Sequence, residues 1–243
     1  MVSPSSPIAI RPTNPPQANG GIGFELVNQL MAKGTYHVLL GSRSVDKGNA
    51  AIKDLQFRNP SGSVELVELD VTKDDHIERA AKSVEQNHGK LDILVNNAAI
   101  VPSDPPLRKQ MQDSFNTNVT GPTVLTAAFA HLLQRSTTES PRIINVSSGA
   151  GSIARVQDPS SPMYKFKAEQ YRASKAALNM VTAVQSVEFG PGIKVFAYCP
   201  GFTVSNLSGM NTAENGARET RESVLPLMDV LEGKRDDEAG GFL

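Results

Sequence analysis

From about residue 20 onward, short apolar segments alternate with longer segments whose apolar residues recur at helical spacing. The short segments are rich in Val, Ile and Leu and are predicted to be strands; they cover residues 36–42, 63–71, 91–97, 142–148 and 193–199. Several are apolar at odd and even positions alike, as strands buried on both faces are. The alternation predicts an α/β fold with a doubly wound parallel sheet of the Rossmann type.

Apolar residues three or four positions apart mark helices between these strands. Three helices are indicated in this way: by Phe24, Val27, Leu30 and Met31; by Ile77, Ala80, Ala81 and Val84; and by Met180, Val181, Val184 and Val187. Thr72 and Asp75 resemble a capping box before the second helix, and Gly89 is placed to end it. The third helix is closed by Gly190 and Pro191.

Composition narrows the class of protein. The 243 residues suit one α/β domain, and 24 basic against 25 acidic residues give a net charge of −1 with no basic block, which argues against a nucleic-acid or membrane partner. The single cysteine, Cys199, excludes an intrachain disulfide. No metal site is expected, because the four histidines are scattered along the sequence: His37, His76, His88 and His131. Without a membrane span or a secretory signal, we expect a cytoplasmic protein.

The prolines are unevenly distributed. Five of the 16 lie within the first 16 residues, namely Pro4, Pro7, Pro12, Pro15 and Pro16. We therefore separate an atypical Pro-rich N-terminal segment, residues 1–17, from a single domain over residues 18–243.

A glycine-rich segment, Asn19-Gly20-Gly21-Ile22-Gly23, precedes the first helix. Glycines at this place let the backbone approach a pyrophosphate on the helix N-terminus, which makes Asn19, Gly21, Ile22 and Gly23 candidate cofactor-binding residues. The alternative is a flexible loop before a helix.

The residue that follows the next predicted strand bears on the choice of cofactor. Twenty positions beyond Gly23 stands Arg43, where an acidic residue would accept hydrogen bonds from a ribose 2′-hydroxyl. An arginine pairs with a 2′-phosphate instead, so NADPH is favoured over NADH. Lys47 could add to the same pocket. The alternative for Arg43 is a solvated charge at a strand end.

Three further residues carry chemistry. Tyr171 and Lys175 lie at i, i+4 spacing on one helix face, where a fixed cation is expected to lower the pKa of the phenol toward the working range of an acid-base catalyst. Ser148 ends a predicted strand and would point into the crevice at the carboxyl edge of the sheet. Its alternative role is to cap the following turn.

Asn118 lies within a helix predicted from about Lys109 to Leu133, together with Gly121. Both are weak helix formers, so an interruption here could free backbone groups to bind water. The alternative is an exposed polar residue.

The motifs NGGIG, LDV, LVNNAA, NVTG, NVSS, YRASK and CPGFT occur in this order and resemble the short-chain dehydrogenase/reductase family, especially its carbonyl-reductase-like fungal members. The resemblance covers nearly the whole chain from Gly20 on. It implies an NADP-dependent oxidoreductase that passes a hydride from NADPH to the ketone or aldehyde of a small molecule, as in secondary metabolism. It leaves homodimer and homotetramer open as states of assembly.

The resemblance also implies roles for residues at the matching positions. Tyr171 would donate the proton, Lys175 would lower its pKa and hold the nicotinamide ribose, Ser148 would polarise the carbonyl and Asn118 would anchor a water. The remaining cofactor contacts implied by the motifs are Asp70 and Val71 at the adenine, Asn97 and Ala98 at the ribose, and Pro200, Gly201 and Thr203 at the carboxamide.

Two regions at the ends of the chain depart from the family pattern, and two further segments bear on the substrate. The family's first strand and its Thr-Gly correspond here to residues 8–17, with Pro16-Gln17 at the Thr-Gly, so the central strand is expected to be atypical or missing. The last strand is expected to be clipped, because the chain stops at Leu243. The insertion at 149–170 and a long polar loop at 202–221 should shape the substrate mouth. The altered first strand keeps a second hypothesis open, a catalytically impaired or non-enzymatic relative that binds a dinucleotide.

Overall fold

A computed structural model describes residues 6–10, 21–59 and 61–243. In chain order the strands and α-helices of this part are β1 Ser6–Ile10, α1 Gly21–Lys33, β2 Tyr36–Ser42, α2 Val45–Arg58, β3 Ser63–Glu68, α3 Asp74–His88, β4 Ile93–Asn96, α4 Leu107–Phe115, α5 Gly121–Gln134, β5 Arg142–Val146, α6 Ile153–Gln157, α7 Glu169–Phe189, β6 Lys194–Tyr198 and α8 Thr220–Leu231. A π-helix, Asn116–Thr120, joins α4 to α5.

All six strands are parallel and lie in the order β3-β2-β1-β4-β5-β6. Successive strand residues are buried in opposite layers: Val38 belongs to one apolar cluster and Leu39 to the other, and Ile144 and Ile143 divide in the same way. Such strands need apolar residues at both parities, which is the pattern seen in the sequence. The prediction of a doubly wound parallel sheet is confirmed.

The first strand was expected to be atypical or missing; it is present, so the second alternative is wrong. β1 pairs with β2 over residues 6–10, whereas β4 pairs only with residues 8–10. Pro7, which has no N–H to donate, therefore lies opposite His37 of β2 but outside the ladder with β4. A proline near the start of a strand costs little pairing. The predicted replacement of Thr-Gly by Pro16-Gln17 lies outside the described residues.

The last strand is clipped, as expected. Residues 240–243 run beside β6 through four backbone hydrogen bonds: Gly240 N to Val195 O, Leu243 N to Ala197 O and Cys199 N to Leu243 O at 2.8 Å, and Ala197 N to Gly241 O at 3.1 Å. Only one parallel bridge, Ala197 to Phe242, forms there within the described chain.

The helices agree with the predictions in position but not in every detail. The Thr72–Asp75 capping box is wrong: Lys73 is the N-cap residue of α3, and the Thr72 hydroxyl donates to Asp70 instead. Gly89 does end α3, with the left-handed φ of 71° that favours glycine. No helix in the described part of the chain combines the length and the apolar character that crossing a bilayer requires.

Helix α7 buries a different face from the one its apolar residues indicate. Three of the four marker residues, Met180, Val184 and Val187, are exposed. The buried face instead carries Lys175, Thr182 and five other residues, Gln170, Tyr171, Ser174, Leu178 and Gln185. The helix turns its polar side inward because that side meets polar groups of β5: Asn145 donates to Thr182 and Gln185, and Lys175 donates to the Val146 carbonyl.

The expectation that the histidines are scattered is also wrong for two of them. His37 lies near the amino end of β2 and His88 ends α3, and their ring centres are 5.2 Å apart. Sequence separation conceals this contact, because the parallel crossover brings the end of α3 back to the amino ends of β2 and β3.

Candidate active site

Ser148 stands in the first turn after β5 and positions that turn against α7. Its hydroxyl accepts a hydrogen bond from Ala150 N at 3.1 Å, so the predicted capping role is real. The turn fits closely on α7, because a Cβ on Gly151 would lie 2.7 Å from the backbone carbon of Lys175. Gly151 thereby allows Ser148 to lie close enough to Tyr171 for its hydroxyl to affect the pKa of the phenol.

Tyr171 lies in the first turn of α7 and is 7% exposed. Burial raises the pKa of its phenol to about 12, although the hydrogen bond from Ser148 opposes that shift. The nearby thiol of Cys199 raises the pKa further. In the ligand-free protein the phenol is therefore a hydrogen-bonded proton donor and not a phenolate.

Lys175 lies one turn further along α7 and is buried. Its ammonium donates to the Val146 carbonyl at 2.7 Å and lies 5.7 Å from the ring centre of Tyr171. Burial lowers the pKa of this amine to about 7. The expectation that Lys175 is a fixed cation that lowers the pKa of Tyr171 is wrong for the ligand-free protein, because the same burial disfavours the charged form of both groups.

Asn118 is fully buried in the π-helix between α4 and α5. Its side chain both accepts from Ile100 N at 2.9 Å and donates to Ile100 O at 3.0 Å, which fixes the segment after β4. Gly121 N donates to Asn116 O, five residues earlier, and so bypasses the carbonyl of Thr117. The interrupted helix is confirmed, and the exposed alternative is wrong. The water contact stays a prediction.

Ser174 is a site residue that the sequence did not single out. It is fully buried, accepts from Asn118 Nδ2 at 3.0 Å and donates to the Tyr171 carbonyl at 2.7 Å. The feature of the sequence that could have indicated its role is its position between Tyr171 and Lys175. Ser174 thereby connects the π-helix to the first turn of α7.

A buried polar network below Ser148 was also missed. Asn145, on β5, accepts from Asn96 Nδ2 at 2.8 Å and donates to Thr182 Oγ1 at 3.0 Å and to Gln185 Oε1 at 2.9 Å. The feature of the sequence that could have indicated this network is an asparagine within each of two apolar strand segments. The network joins β4, β5 and α7, which carry or flank the candidate catalytic residues.

The candidate pyrophosphate site is partly described. Gly21, Ile22 and Gly23 form the buried first turn of α1, and Gly21 has a φ of 37° that favours glycine. Asn19 lies outside the described residues. The helix terminus at the carboxyl end of β1 is the place where a dinucleotide pyrophosphate binds in such a sheet.

Arg43 and Lys47 are both exposed, and Arg43 directly follows β2. Ser44 caps α2 by accepting from Lys47 N at 3.4 Å. At the end of the neighbouring strand β3, Asp70 accepts from Thr72 N at 3.1 Å, and Val71 is buried. Basic side chains therefore stand beyond β2, and an acceptor stands beyond β3.

The remaining candidate cofactor residues follow β4 and β6. Asn97 is buried and Ala98 partly so. After β6, Gly201 has a left-handed φ of 75°, and a Cβ there would lie 2.7 Å from the Arg218 guanidinium. Thr203 is buried and its hydroxyl donates to the Pro200 carbonyl at 3.0 Å.

The two segments predicted to shape the substrate mouth are folded. The insertion is held by Arg172, which donates to Met163 O at 2.7 Å and to Phe166 O at 2.8 Å. The loop over 202–221 contains a one-turn 3₁₀-helix, Ala213–Asn215, and a bridge between Thr203 and Arg218. Both segments start beyond the carboxyl ends of strands, β5 for the insertion and β6 for the loop.

The fold and this arrangement of Ser148, Tyr171 and Lys175 define a class of α/β oxidoreductases. Comparisons with known proteins identify the family within this class. A family model described as short chain dehydrogenase matches residues 18–216. The chain is 40% identical to the short-chain dehydrogenase anuI of Penicillium roqueforti, with 83% of each chain covered. It is 32% identical to the short-chain dehydrogenase/reductase tropE of Talaromyces stipitatus, covering 91% of this chain and 90% of that one.

Among solved structures, the NADPH-bound carbonyl reductase from chicken fatty liver matches 100% of this chain and 96% of its own, with a TM-score of 0.81 and 29% identity. This chain belongs to the short-chain dehydrogenase/reductase family. The fold, the oxidoreductase class and the likeness to carbonyl reductase that the motifs implied are confirmed. The family uses a nicotinamide dinucleotide and acts on small molecules.

Proposed function

We propose that this protein is an NADPH-dependent reductase of a ketone or aldehyde, with Tyr171 as the proton donor. The observation that carries the proposal is the burial of Tyr171 and Lys175 on one face of α7, with the hydroxyl of Ser148 close enough to lower the pKa of the phenol. Its likeness to an NADPH-bound carbonyl reductase supports the direction of the reaction. Several relatives are fungal short-chain dehydrogenases, which supports the oxidoreductase class; we extend the proposal to a small-molecule substrate of secondary metabolism.

The residues fit a nicotinamide dinucleotide. The buried Lys175 ammonium has three N–H donors, of which one goes to Val146 O, so it can also hold ribose hydroxyls. The other candidate cofactor-binding residues follow the carboxyl ends of strands. Two follow β3 (Asp70 and Val71), two follow β4 (Asn97 and Ala98), and three follow β6 (Pro200, Gly201 and Thr203). The bound cofactor would supply the hydride, and the protein would supply orientation and electrostatics.

The proton would come from Tyr171. As the carbonyl carbon gains a hydride, negative charge develops on the carbonyl oxygen, and the phenol transfers its proton to that oxygen. Ser148 donates a hydrogen bond to the same oxygen and stabilises the developing charge. A pKa near 12 keeps the proton on Tyr171 until this charge appears. Asn118 would anchor, through the backbone of its π-helix, the water that returns the proton.

The preference for NADPH rests on the end of β2. Ser42, Arg43 and Ser44 provide two hydroxyls and a guanidinium where an NADH-specific site needs a carboxylate. An arginine fork can bind a 2′-phosphate in bidentate fashion. Lys47, exposed in the first turn of α2, adds positive charge beside it.

A cofactor titration followed by a substrate panel tests the proposal. We expect the purified full chain to bind NADPH more tightly than NADH, and to oxidise NADPH with at least one member of a panel of ketones, aldehydes and quinones. Binding without turnover across the panel would favour a dinucleotide-binding relative without catalysis. A folded protein that binds neither cofactor would overturn the proposal.

A matched pair of variants makes the assignment specific. Tyr171→Phe removes the buried phenolic hydroxyl, whereas Tyr164→Phe removes an exposed one in the insertion. Only the first should abolish turnover, and both should retain NADPH binding. Equal loss in the two variants would contradict the role of Tyr171.

A further inference from the structure

Three metal-ligating side chains meet at the amino edge of the sheet, the edge opposite Ser148. His37 Nε2 lies 3.4 Å and His88 Nε2 lies 3.3 Å from the same atom, Glu65 Oε2. All three donor atoms lie within 4.8 Å of one another. One carboxylate oxygen is therefore faced by two imidazole nitrogens.

The topology explains why residues so far apart in sequence converge. His37 is the second residue of β2 and pairs with Ser63, two positions before Glu65 on β3. Helix α3 then runs back across the sheet and ends at His88. The cluster thus joins β2, β3 and α3 at their shared end.

The two imidazole nitrogens need a partner. Both Nε2 atoms are buried, and within the described residues neither makes an aligned hydrogen bond. Buried polar atoms are rarely left in this condition, and each such atom in a folded protein calls for an explanation such as an ion. If both rings were protonated, two cations would lie side by side, with their ring centres 5.2 Å apart. A metal ion satisfies both nitrogens and the carboxylate with a single charge centre.

Two of the three donor spacings have the length expected around a tetrahedral ion. Ligands about 2.05 Å from zinc lie about 3.3 Å from one another when the geometry is tetrahedral. The distances from Glu65 Oε2 to the two histidines, 3.4 and 3.3 Å, match this value. Two histidines and one carboxylate also form a known zinc ligand set that leaves the fourth position for water.

The surroundings prepare His37 for this role. Its Nδ1 lies 2.5 Å from Ser63 Oγ, which can accept a hydrogen bond from the Nδ1–H. With the ring proton held on Nδ1, the lone pair of Nε2 is free for a metal. The side chains are also reachable: that of Glu65 is 42% exposed and those of His37 and His88 are 23% and 19% exposed. An ion can enter from solvent and keep a water ligand.

We propose that His37, Glu65 and His88 bind one divalent transition-metal ion, best matched by Zn²⁺, which crosslinks β2, β3 and α3 away from the catalytic edge. The site is independent of the proposed reductase function. Imidazole ligands favour zinc over Mg²⁺ and Ca²⁺, which prefer oxygen ligands.

Calorimetric titration of the chelator-treated full chain with ZnCl₂ tests this proposal. We expect about one Zn²⁺ per chain, a higher melting temperature with zinc, and little heat from MgCl₂ or CaCl₂. Co²⁺ bound in the same place should give the visible absorption of a low-coordinate ion. His88→Gln should abolish saturable binding, and Ser63→Ala should weaken it about 10- to 100-fold.

The two other histidines provide matched controls. His76→Gln and His131→Gln make the same substitution outside the cluster and should bind zinc like the unaltered protein. If His37→Gln in β2 does not fold, His88→Gln at the end of α3 and the Co²⁺ spectrum still decide the question. No saturable uptake of Zn²⁺, or equal loss in His76→Gln and His88→Gln, would overturn the proposal.

Discussion

The two edges of the sheet both collect ionisable side chains, but they hold them differently. At the carboxyl edge, where Ser148, Tyr171 and Lys175 meet, the lysine and the tyrosine are buried, and the lysine donates a hydrogen bond to the Val146 carbonyl. At the amino edge, where His37, Glu65 and His88 meet, the groups are half-buried and two imidazole nitrogens have no aligned partner among the described residues. Burial disfavours the charged forms of the first cluster. The second cluster is defined by two imidazole nitrogens that face one carboxylate oxygen.

The difference shows how one scaffold can separate chemistry from stabilisation. At the carboxyl edge, burial disfavours charge on both Tyr171 and Lys175, so their protons respond to charge that develops nearby. The amino edge lies where the strands begin, away from the crevice in which α/β sheets bind ligands. An ion bound there would join secondary-structure elements without touching the reaction.

The largest expected effect separates the two edges by function. Tyr171→Phe should lower kcat for carbonyl reduction by about 100- to 10,000-fold, the contribution typical of a positioned proton donor. Steady-state NADPH oxidation measures this loss. The Zn²⁺ titration of the same variant should be unchanged. A parallel loss of zinc binding would show that the edges are coupled.

The next effect concerns the stability of the carboxyl edge. Lys175 has a pKa of about 7 in the folded protein and the ordinary lysine value of 10.5 in the unfolded chain, so between these values the unfolded chain binds a proton that the folded chain does not. The free energy of unfolding should therefore rise with pH in this window, by ~2–3 kcal/mol between pH 7 and 9.5. Denaturant unfolding of the cofactor-free protein measures the rise.

Lys175→Met should remove most of this rise, and the exposed Lys82→Met should keep it. The Met variant should also be more stable than the unaltered protein at pH 7, with the difference narrowing as pH increases. Above pH 10 the raised pKa of Tyr171, about 12, works in the opposite direction, because the folded protein then keeps a proton that the unfolded chain loses. Identical slopes for the Met variant and the unaltered protein would refute the burial argument.

A smaller effect tests the hydrogen bonds that hold the carboxyl edge together. Asn118→Ala would leave Ile100 N–H, Ile100 C=O and the Ser174 hydroxyl without their side-chain partner. We expect a loss of about 1–3 kcal/mol in the free energy of unfolding. Asn87→Ala, on the exposed side of α3, is the matched control and should cost much less. Comparable losses would mean that the contacts of Asn118 contribute little.

The smallest effect concerns cofactor choice. Arg43→Asp should weaken NADPH binding about tenfold and NADH binding by less, because only NADPH carries the 2′-phosphate. Fluorescence titration with both cofactors measures the ratio. Lys53→Asp makes the same change of charge on an exposed position of α2 and should leave the ratio unaltered. Equal weakening of both cofactors by Arg43→Asp would remove the phosphate role.

Local patterns predicted much of the fold and the elements that carry the candidate site. The strand predictions for 36–42, 142–148 and 193–199 match β2, β5 and β6 within two residues, because apolar runs of this length depend on burial alone. The break at Asn118 followed from poor helix formers. The exposed stripe Met180, Val184 and Val187 shows the limit: α7 buries its polar side, since its neighbours there are polar.

By itself, the sequence determined the order of βα units, the i, i+4 placement of Tyr171 and Lys175, and membership of the family, because these depend on neighbours along the chain. Only the tertiary structure decided the protonation behaviour of that pair, since burial is a property of the assembled fold. The same holds for β1 in the centre of the sheet and for the meeting of His37, Glu65 and His88. Strand register and the return of α3 bring these residues together, and neither is encoded in local spacing.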